Sequence, residues 1–218
     1  MSKKEKTFAV IGLGKFGFYV AQTLAEAGAE VIACDKDEEK VKNIGEIVTS
    51  AYVMDATDEK ALIEAGINTA DVVIISIGSN IEASLLVVIQ LINLGIKEII
   101  AKAVNPLHGA ILERLGVKRV VYAEKEMGIK IAKSLLMGVL EEMSFAEDYK
   151  IFEIETPGLF VGKNLQELDL RKRYDLTVLA IKRGTEVIVN PSPKEVFKKG
   201  DILLILGKER NLKKVFSE

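Results

Sequence analysis

Gly12-Leu13-Gly14-Lys15-Phe16-Gly17 is a G-x-G-x-x-G run set between an apolar stretch, "TFAVIG", and a helical pattern over Phe16–Ala27. In that setting each glycine has its own use. Gly12 permits a tight turn, Gly14 lets the backbone approach phosphate oxygens, and Gly17 lets a helix pack closely on a strand. The helix start supplies free N–H groups and a partial positive charge for an anion. Roughly twenty residues further on, Asp35 ends the next apolar run, "EVIACD". A carboxylate there accepts ribose hydroxyls and repels a 2′-phosphate. The residue types and spacing therefore predict an adenine nucleotide with a free 2′-hydroxyl.

Other side chains cluster around this pattern. Lys15 and Phe16 lie inside the turn. A cation at a helix start is mildly unfavourable unless a phosphate pairs with it. "MDATD" places Asp55, Ala56 and Thr57 after a third apolar run, as candidates for the adenosine contact. Asp55 reads equally as a turn former, and Asp58 as a helix cap. "SIGSN" places Ser76, Ile77 and Gly78 at the end of a fourth run, on the edge where ligands of such sheets sit; helix capping alone would also account for it.

The chemistry of an enzyme is not apparent. A dehydrogenase needs a proton relay as well as a nucleotide, and the chain has one histidine, His108. It follows Pro106 with no obvious acid beside it and reads as a surface or capping residue. There is no G-x-S-x-G, no P-loop lysine and no metal-ligand spacing. A nucleotide-dependent oxidoreductase is the weaker alternative to a sensor. A structural or redox-sensing use of the same fold is another.

These residues need a scaffold. The chain has 218 residues, 49% hydrophobic and 28% charged, with net charge −2. That balance allows a substantial core and lacks the basic excess of a nucleic-acid binder. The single cysteine, Cys34, excludes an internal disulfide and reads as a buried strand residue. The opening "MSKKEKTF" has no apolar leader. The longest apolar stretch, "ASLLVVIQLINLG", falls short of the ~20 residues of a membrane span and contains Gln90 and Asn93. The expected location is cytoplasmic, with any membrane role mediated by a partner.

Six apolar runs alternate with helical patterns: "TFAVIG", "EVIACD", "IVTSAYVM", "DVVIISIG", "EIIAKAV" and "RVVYA". They are continuous rather than alternating, as parallel strands covered on both faces should be. Gly28, Gly66, Gly95 and Gly116 stand where helix C-caps belong. The expected class is α/β, a Rossmann-like doubly wound parallel sheet. A sixth helix is predicted over Glu124–Met143, with Gly138 as a point of weakness. Beyond it the pattern changes to a small α+β unit: a half-wet strand "KIFEIETPG", a helix "NLQELDLRKRY", three further strands and a last helix "KERNLKKVFSE". The expected domains are 1–145 and 146–218.

The ordered set "FAVIGLGKFG", "ACDKDEEKV", "DATDEKALIEAGI", "DVVIISIGSNIEASLL", "IIAKAVNPLHGAILERLGVKRVVYAEKEMG" and "NLQELDLRKRYDLTVLAIKRG…DILLILG" resembles the cytosolic regulatory subunits of Ktr/Trk-type potassium transporters, the RCK proteins, most closely the Ktr branch. The likeness spans nearly the whole chain. It implies homodimers assembled into an octameric ring on a membrane potassium-transport subunit. It also implies ATP or ADP as the ligand, or NAD(H) as in the Trk branch. Asp35, Lys36, Asp37 and Lys102 then line the nucleotide; Asp37 could equally cap its helix. Lys15 stands where the Ktr branch usually has arginine, near the γ-phosphate, and keeps the charge without the bidentate fork. Glu124 matches a glutamate near the phosphates at the dimer interface, where magnesium or calcium would bind; it also reads as a plain helix-start acid. In some relatives the C-terminal lobe binds cyclic di-AMP. Arg171 is kept in that region, and Thr177 stands where those binders often carry asparagine.

Overall fold

In a computed structural model, residues 6–216 are described; most of the charged opening "MSKKEKTF" lies outside them. They form two compact units divided between Ala123 and Glu124. The first contains β1 (Thr7–Ile11), α1 (Lys15–Glu26), β2 (Glu30–Asp35), α2 (Glu38–Gly45), β3 (Ser50–Val53), α3 (Glu59–Glu64), β4 (Val72–Ile75), α4 (Ile81–Asn93), β5 (Ile99–Lys102), α5 (Pro106–Arg114) and β6 (Arg119–Val121). The six strands pair in the order β3-β2-β1-β4-β5-β6, every pair parallel.

The continuous apolar strands have a direct cause. On β1, Ala9 and Ile11 face a core completed by Leu62 of α3, Val87, Val88 and Leu91 of α4 and Leu112 of α5. Val10, between them, faces a second core with Ala21 of α1 and Val41 and Ile44 of α2. Side chains alternate across a strand, so a sheet covered on both faces needs apolar residues at every position. The order of strands reverses between β1 and β4, and the loops at their carboxyl ends open on the crevice where ligands of such sheets sit.

The second unit contains α6 (Ala123–Met137, which begins one residue before it), β7 (Val139–Ser144), β8 (Tyr149–Glu155), α7 (Leu165–Leu168), α8 (Leu170–Tyr174), β9 (Thr177–Arg183), β10 (Glu186–Val189), β11 (Ile202–Lys208) and α9 (Glu209–Val215). Its strands form an antiparallel sheet in the order β10-β9-β11-β8-β7. Phe152, Phe160, Phe197, Leu203, Ile205 and Leu212 fill its core.

Two expectations are corrected. The sixth helix does not reach Met143. Gly138 adopts φ 59, a left-handed conformation cheap for glycine, and Val139–Ser144 continues as an edge strand on β8. The predicted helix over "NLQELDLRKRY" is two short helices separated by Asp169 at φ 43. The two compact units meet just after the start of α6. No residue of α6 is buried.

Candidate functional site

The carboxyl ends of β1 to β5 bring five of the sequence motifs to one edge of the parallel sheet. At the centre is the β1–α1 turn. Gly12 has φ 94, and a Cβ there would lie 3.0 Å from the carbonyl of Ser76. A Cβ on Gly17 would overlap the Gly12 carbonyl oxygen and lie 3.0 Å from Ser76 Cβ. Both positions need glycine because β4 and the turn crowd them. Gly14 differs: a Cβ there meets nothing within 4 Å. Its lack of a side chain solves no packing problem within the chain and leaves room for an approaching ligand.

The start of α1 is also unlike its neighbours. α2, α3, α4 and α5 are capped by Asp37, Asp58, Asn80 and Asn105, whose side chains accept from Glu39, Lys60, Ala83 and His108 N–H. α1 begins at Gly14 with no side-chain cap and no acid in its first turn. Its N–H groups and dipole are available to an anion. Lys15 is exposed in that turn, Phe16 is half-buried, and Ser76 is buried beneath with no partner for its hydroxyl.

Asp35 reaches back to this turn. Its Oδ2 accepts from Leu13 N–H at 2.7 Å and its Oδ1 from Asp37 N–H at 3.0 Å, and Lys40 Nζ lies 3.5 Å from Oδ1. The acid is thus held rigidly and retains lone pairs for ribose hydroxyls. Sequence reasoning missed Leu13 and Lys40. The first acts through its backbone, which carries no residue-type signal. The second had a signal, a cation three residues after Asp37, with which it also pairs.

Lys36 Nζ bridges to Asp55 Oδ2 at 2.8 Å. Asp55 Oδ1 accepts from Thr57 N–H and hydroxyl at 2.9 and 2.6 Å. The Lys36 bond, then those from Thr57, hold the Asp55 carboxyl down at about 2. Asp55 is therefore both the turn former and a charged group at the site edge. Ala56 beside it is buried. Ile77 and Gly78 follow β4. A Cβ on Gly78 would lie 3.1 Å from Lys102 Nζ, so the tip of the β5 lysine ends close against the Gly78 backbone. Asp37 caps α2, the bland alternative for that residue.

Glu124 lies in the first turn of α6, in the second unit. Among the described residues no group of three or more His, Cys, Asp or Glu could hold a metal ion. His108 is not a surface residue; it is 1% exposed, while Leu107 before it is 73% exposed. Its Nδ1 accepts a long bond of 3.4 Å from Val104 N–H, which puts the proton on Nε2, and burial pushes its pKa down. Cys34 is buried as expected, and burial, with the Asp35 charge, pushes its thiol up to about 12.

The second unit has its own cleft, of about 460 Å³, lined by Leu165, Asp169, Arg171, Leu176, Thr177 and Pro193 among others. No helix of the described residues is long and apolar enough to cross a membrane.

Comparison with known proteins also finds two parts, with residues 124–149 outside both family models. The TrkA-N domain model matches residues 8–123 and the TrkA-C domain model residues 150–218. The Ktr system potassium uptake protein C of Bacillus subtilis (strain 168) is 40% identical over 204 residues, 93% of this chain and 92% of that protein. The Ktr system potassium uptake protein A of the same organism is 38% identical over 216 residues, 99% of this chain and 97% of that protein. Among solved structures, the GsuK RCK domain matches all of this chain with TM-score 0.70 at 17% identity, and the GsuK channel bound to NAD with TM-score 0.69 at 17% identity. The chain spans 48% and 40% of those two longer chains, which share its fold.

Proposed function

The chain belongs to the TrkA-N/TrkA-C family of Ktr-type potassium uptake proteins, and from that premise we propose that it is the nucleotide-sensing cytosolic subunit regulating a membrane potassium transporter. The observation that carries the nucleotide is the uncapped start of α1 behind Gly14, whose missing Cβ leaves open space. Phosphates sit at that helix start, and Asp35 takes the ribose. ATP and ADP are the ligands. The exposed Lys15 ammonium stands at the phosphate end and separates them by the γ-phosphate charge.

The signal is a shift between two states of an octameric ring built from homodimers. A nucleotide moves such an equilibrium only by its differential affinity for the two states. A tenfold preference per site is about 1.4 kcal/mol, and coupled copies multiply the effect. Exposed apolar side chains along α6 support the assembly: Met127, Ile131 and Leu135 lie on one side of the helix and Ile129 and Leu136 on the other, and packing against further copies would cover them. Glu124, at the start of that helix, supplies one carboxylate to magnesium or calcium. Such ions take six or more oxygen ligands, so phosphate oxygens, a second copy or water complete the set.

NAD(H) is the second reading. Asp35 at the end of β2, tied to Leu13 N–H, suits either ribose. Catalysis is not part of either reading, because His108, the chain's one histidine, is buried and neutral rather than poised as a proton donor. The cleft beside Arg171 and Thr177 suits a second, anionic ligand, and cyclic di-AMP is the ligand proposed there. Calorimetric titration with ATP, ADP, NADH and NADPH, with and without magnesium, tests the reading. Tight ATP and ADP with weak NADH supports it; tight NADH with weak ATP favours the second reading. Binding of neither overturns both. Lys15→Ala should narrow the ATP-to-ADP affinity ratio toward one, and an unchanged ratio removes Lys15 from the switch.

A further inference from the structure

The strand order places β2 and β3 on one side of the glycine turn, so a ligand whose phosphates sit at α1 extends its nucleoside over the loops after β2 and β3. Those two loops are each anchored separately. On the β2 side, Asp35 is held by Leu13 and Asp37 N–H. On the β3 side, Gln90 of α4 donates from Nε2 to the Thr57 carbonyl at 2.6 Å, and Thr57 in turn holds Asp55 Oδ1. The Lys36–Asp55 ion pair spans the gap between them from the solvent side.

We propose that Lys36 is a positioning residue for the nucleoside end of the ligand, and that its pair with Asp55 is a strap that tightens when a nucleoside covers it. The inference rests on the nucleotide reading. Its physical basis is exposure. The two side chains are 63% and 48% exposed, and an ion pair so open to water contributes next to nothing to folding. A ligand laid against it removes water, and the same two charges then attract more strongly. With both charges present, the pair adds to the two separate anchors and draws the loops together at binding width. The effect belongs to the nucleoside, which AMP, ADP, ATP and NADH share, and not to the number of phosphates. That separates Lys36 from Lys15, whose effect must depend on the phosphates.

The test is calorimetric titration of the full chain with AMP, ADP, ATP and NADH, using Lys36→Ala, Lys36→Arg, Asp55→Asn and the Lys36→Ala/Asp55→Asn double variant. Lys36→Ala should weaken all four ligands by one common factor of about five- to tenfold. It should leave the melting temperature unchanged, and Lys36→Arg should restore binding. Asp55→Asn keeps an oxygen for Thr57 and should lose a similar factor, while the double variant loses no more than either single. Wild-type affinity in Lys36→Ala overturns the strap while leaving the nucleotide reading intact. So does a loss that grows with phosphate number, or additive losses in the double variant. A drop in melting temperature with unchanged affinity would make the pair purely structural. No binding by the wild-type chain overturns the strap and the nucleotide reading together.

Discussion

Gly14→Ala and Gly17→Ala are the same chemical change three residues apart, and the structure predicts opposite outcomes. At Gly17 the new Cβ would overlap the Gly12 carbonyl oxygen and press on Ser76 Cβ at 3.0 Å. A relaxed carbon–oxygen contact is about 3.3–3.6 Å, so α1 must back away from β1 by on the order of an ångström. Both neighbours are main chain or stem atoms with no freedom to swing aside. Overpacking costs about 1–3 kcal/mol, and a backbone clash belongs at the upper end. That lowers the melting temperature of the first unit by on the order of 10 °C. At Gly14 the new Cβ meets nothing within 4 Å, and φ −63, ψ 176 suits alanine. A few tenths of a kcal/mol lost at the helix cap are offset by a stiffer unfolded chain, leaving stability within about 0.5 kcal/mol. The methyl group instead occupies the approach to the α1 N–H groups, and ATP, ADP and NADH should bind at least about tenfold more weakly. Thermal denaturation by circular dichroism and calorimetric titration read the two quantities separately. A Gly14→Ala protein that binds nucleotide within about twofold of wild type would refute the reasoning, because the open space would then not be where phosphates sit.

Further outcomes follow from the charges and the buried thiol. Glu209 of α9 binds Lys150 Nζ at 2.8 Å, with Lys133 and Lys213 beside it. The Lys150 bond most strongly holds its carboxyl down at about 2, against burial, from an ordinary 4.5. A carboxyl depressed in the folded state stabilises fully above its unfolded value, and that stability is lost as pH falls from about 4.5 toward 2. Glu209→Gln should therefore flatten this acid limb for the second unit in a pH series of melting curves, leaving the part due to Glu142, which the same lysines engage. Cys34 should react with a thiol reagent only on unfolding, because its thiolate is inaccessible and disfavoured; rapid native labelling would contradict the packing around β2.

Much of the first unit was legible in the chain. The six apolar runs, the glycines past α1, α3, α4 and α5 and the Asx caps are local signals, and each maps onto an observed element within a few residues. The geometry of the candidate site was legible where it depends on residue type at fixed spacing: Gly12, Gly14 and Gly17 in the turn, Asp35 at the end of β2. It was not legible at His108, whose position after a helix-starting proline suggested the surface. Local pattern places a residue on a turn of helix but does not say which side of that turn meets the core, and Leu107 took the exposed side instead. Nor was the end of α6 legible, since Val139, Leu140 and Met143 suit helix and strand alike. Pairing with β8, distant from local propensity, decided it.

The sequence by itself determined the α/β alternation, the phosphate-turn pattern and the family, because these rest on side-chain type and short-range order. Only the tertiary structure decided that Lys36 meets Asp55, that Asp35 holds Leu13, and that the tip of Lys102 lies beside Gly78. Those partners come from different strands, and it is the parallel pairing of β1 to β5 that carries their ends to one edge. A contact of that kind is written in no stretch of residues; it exists only once both cores have closed on the sheet and fixed the register.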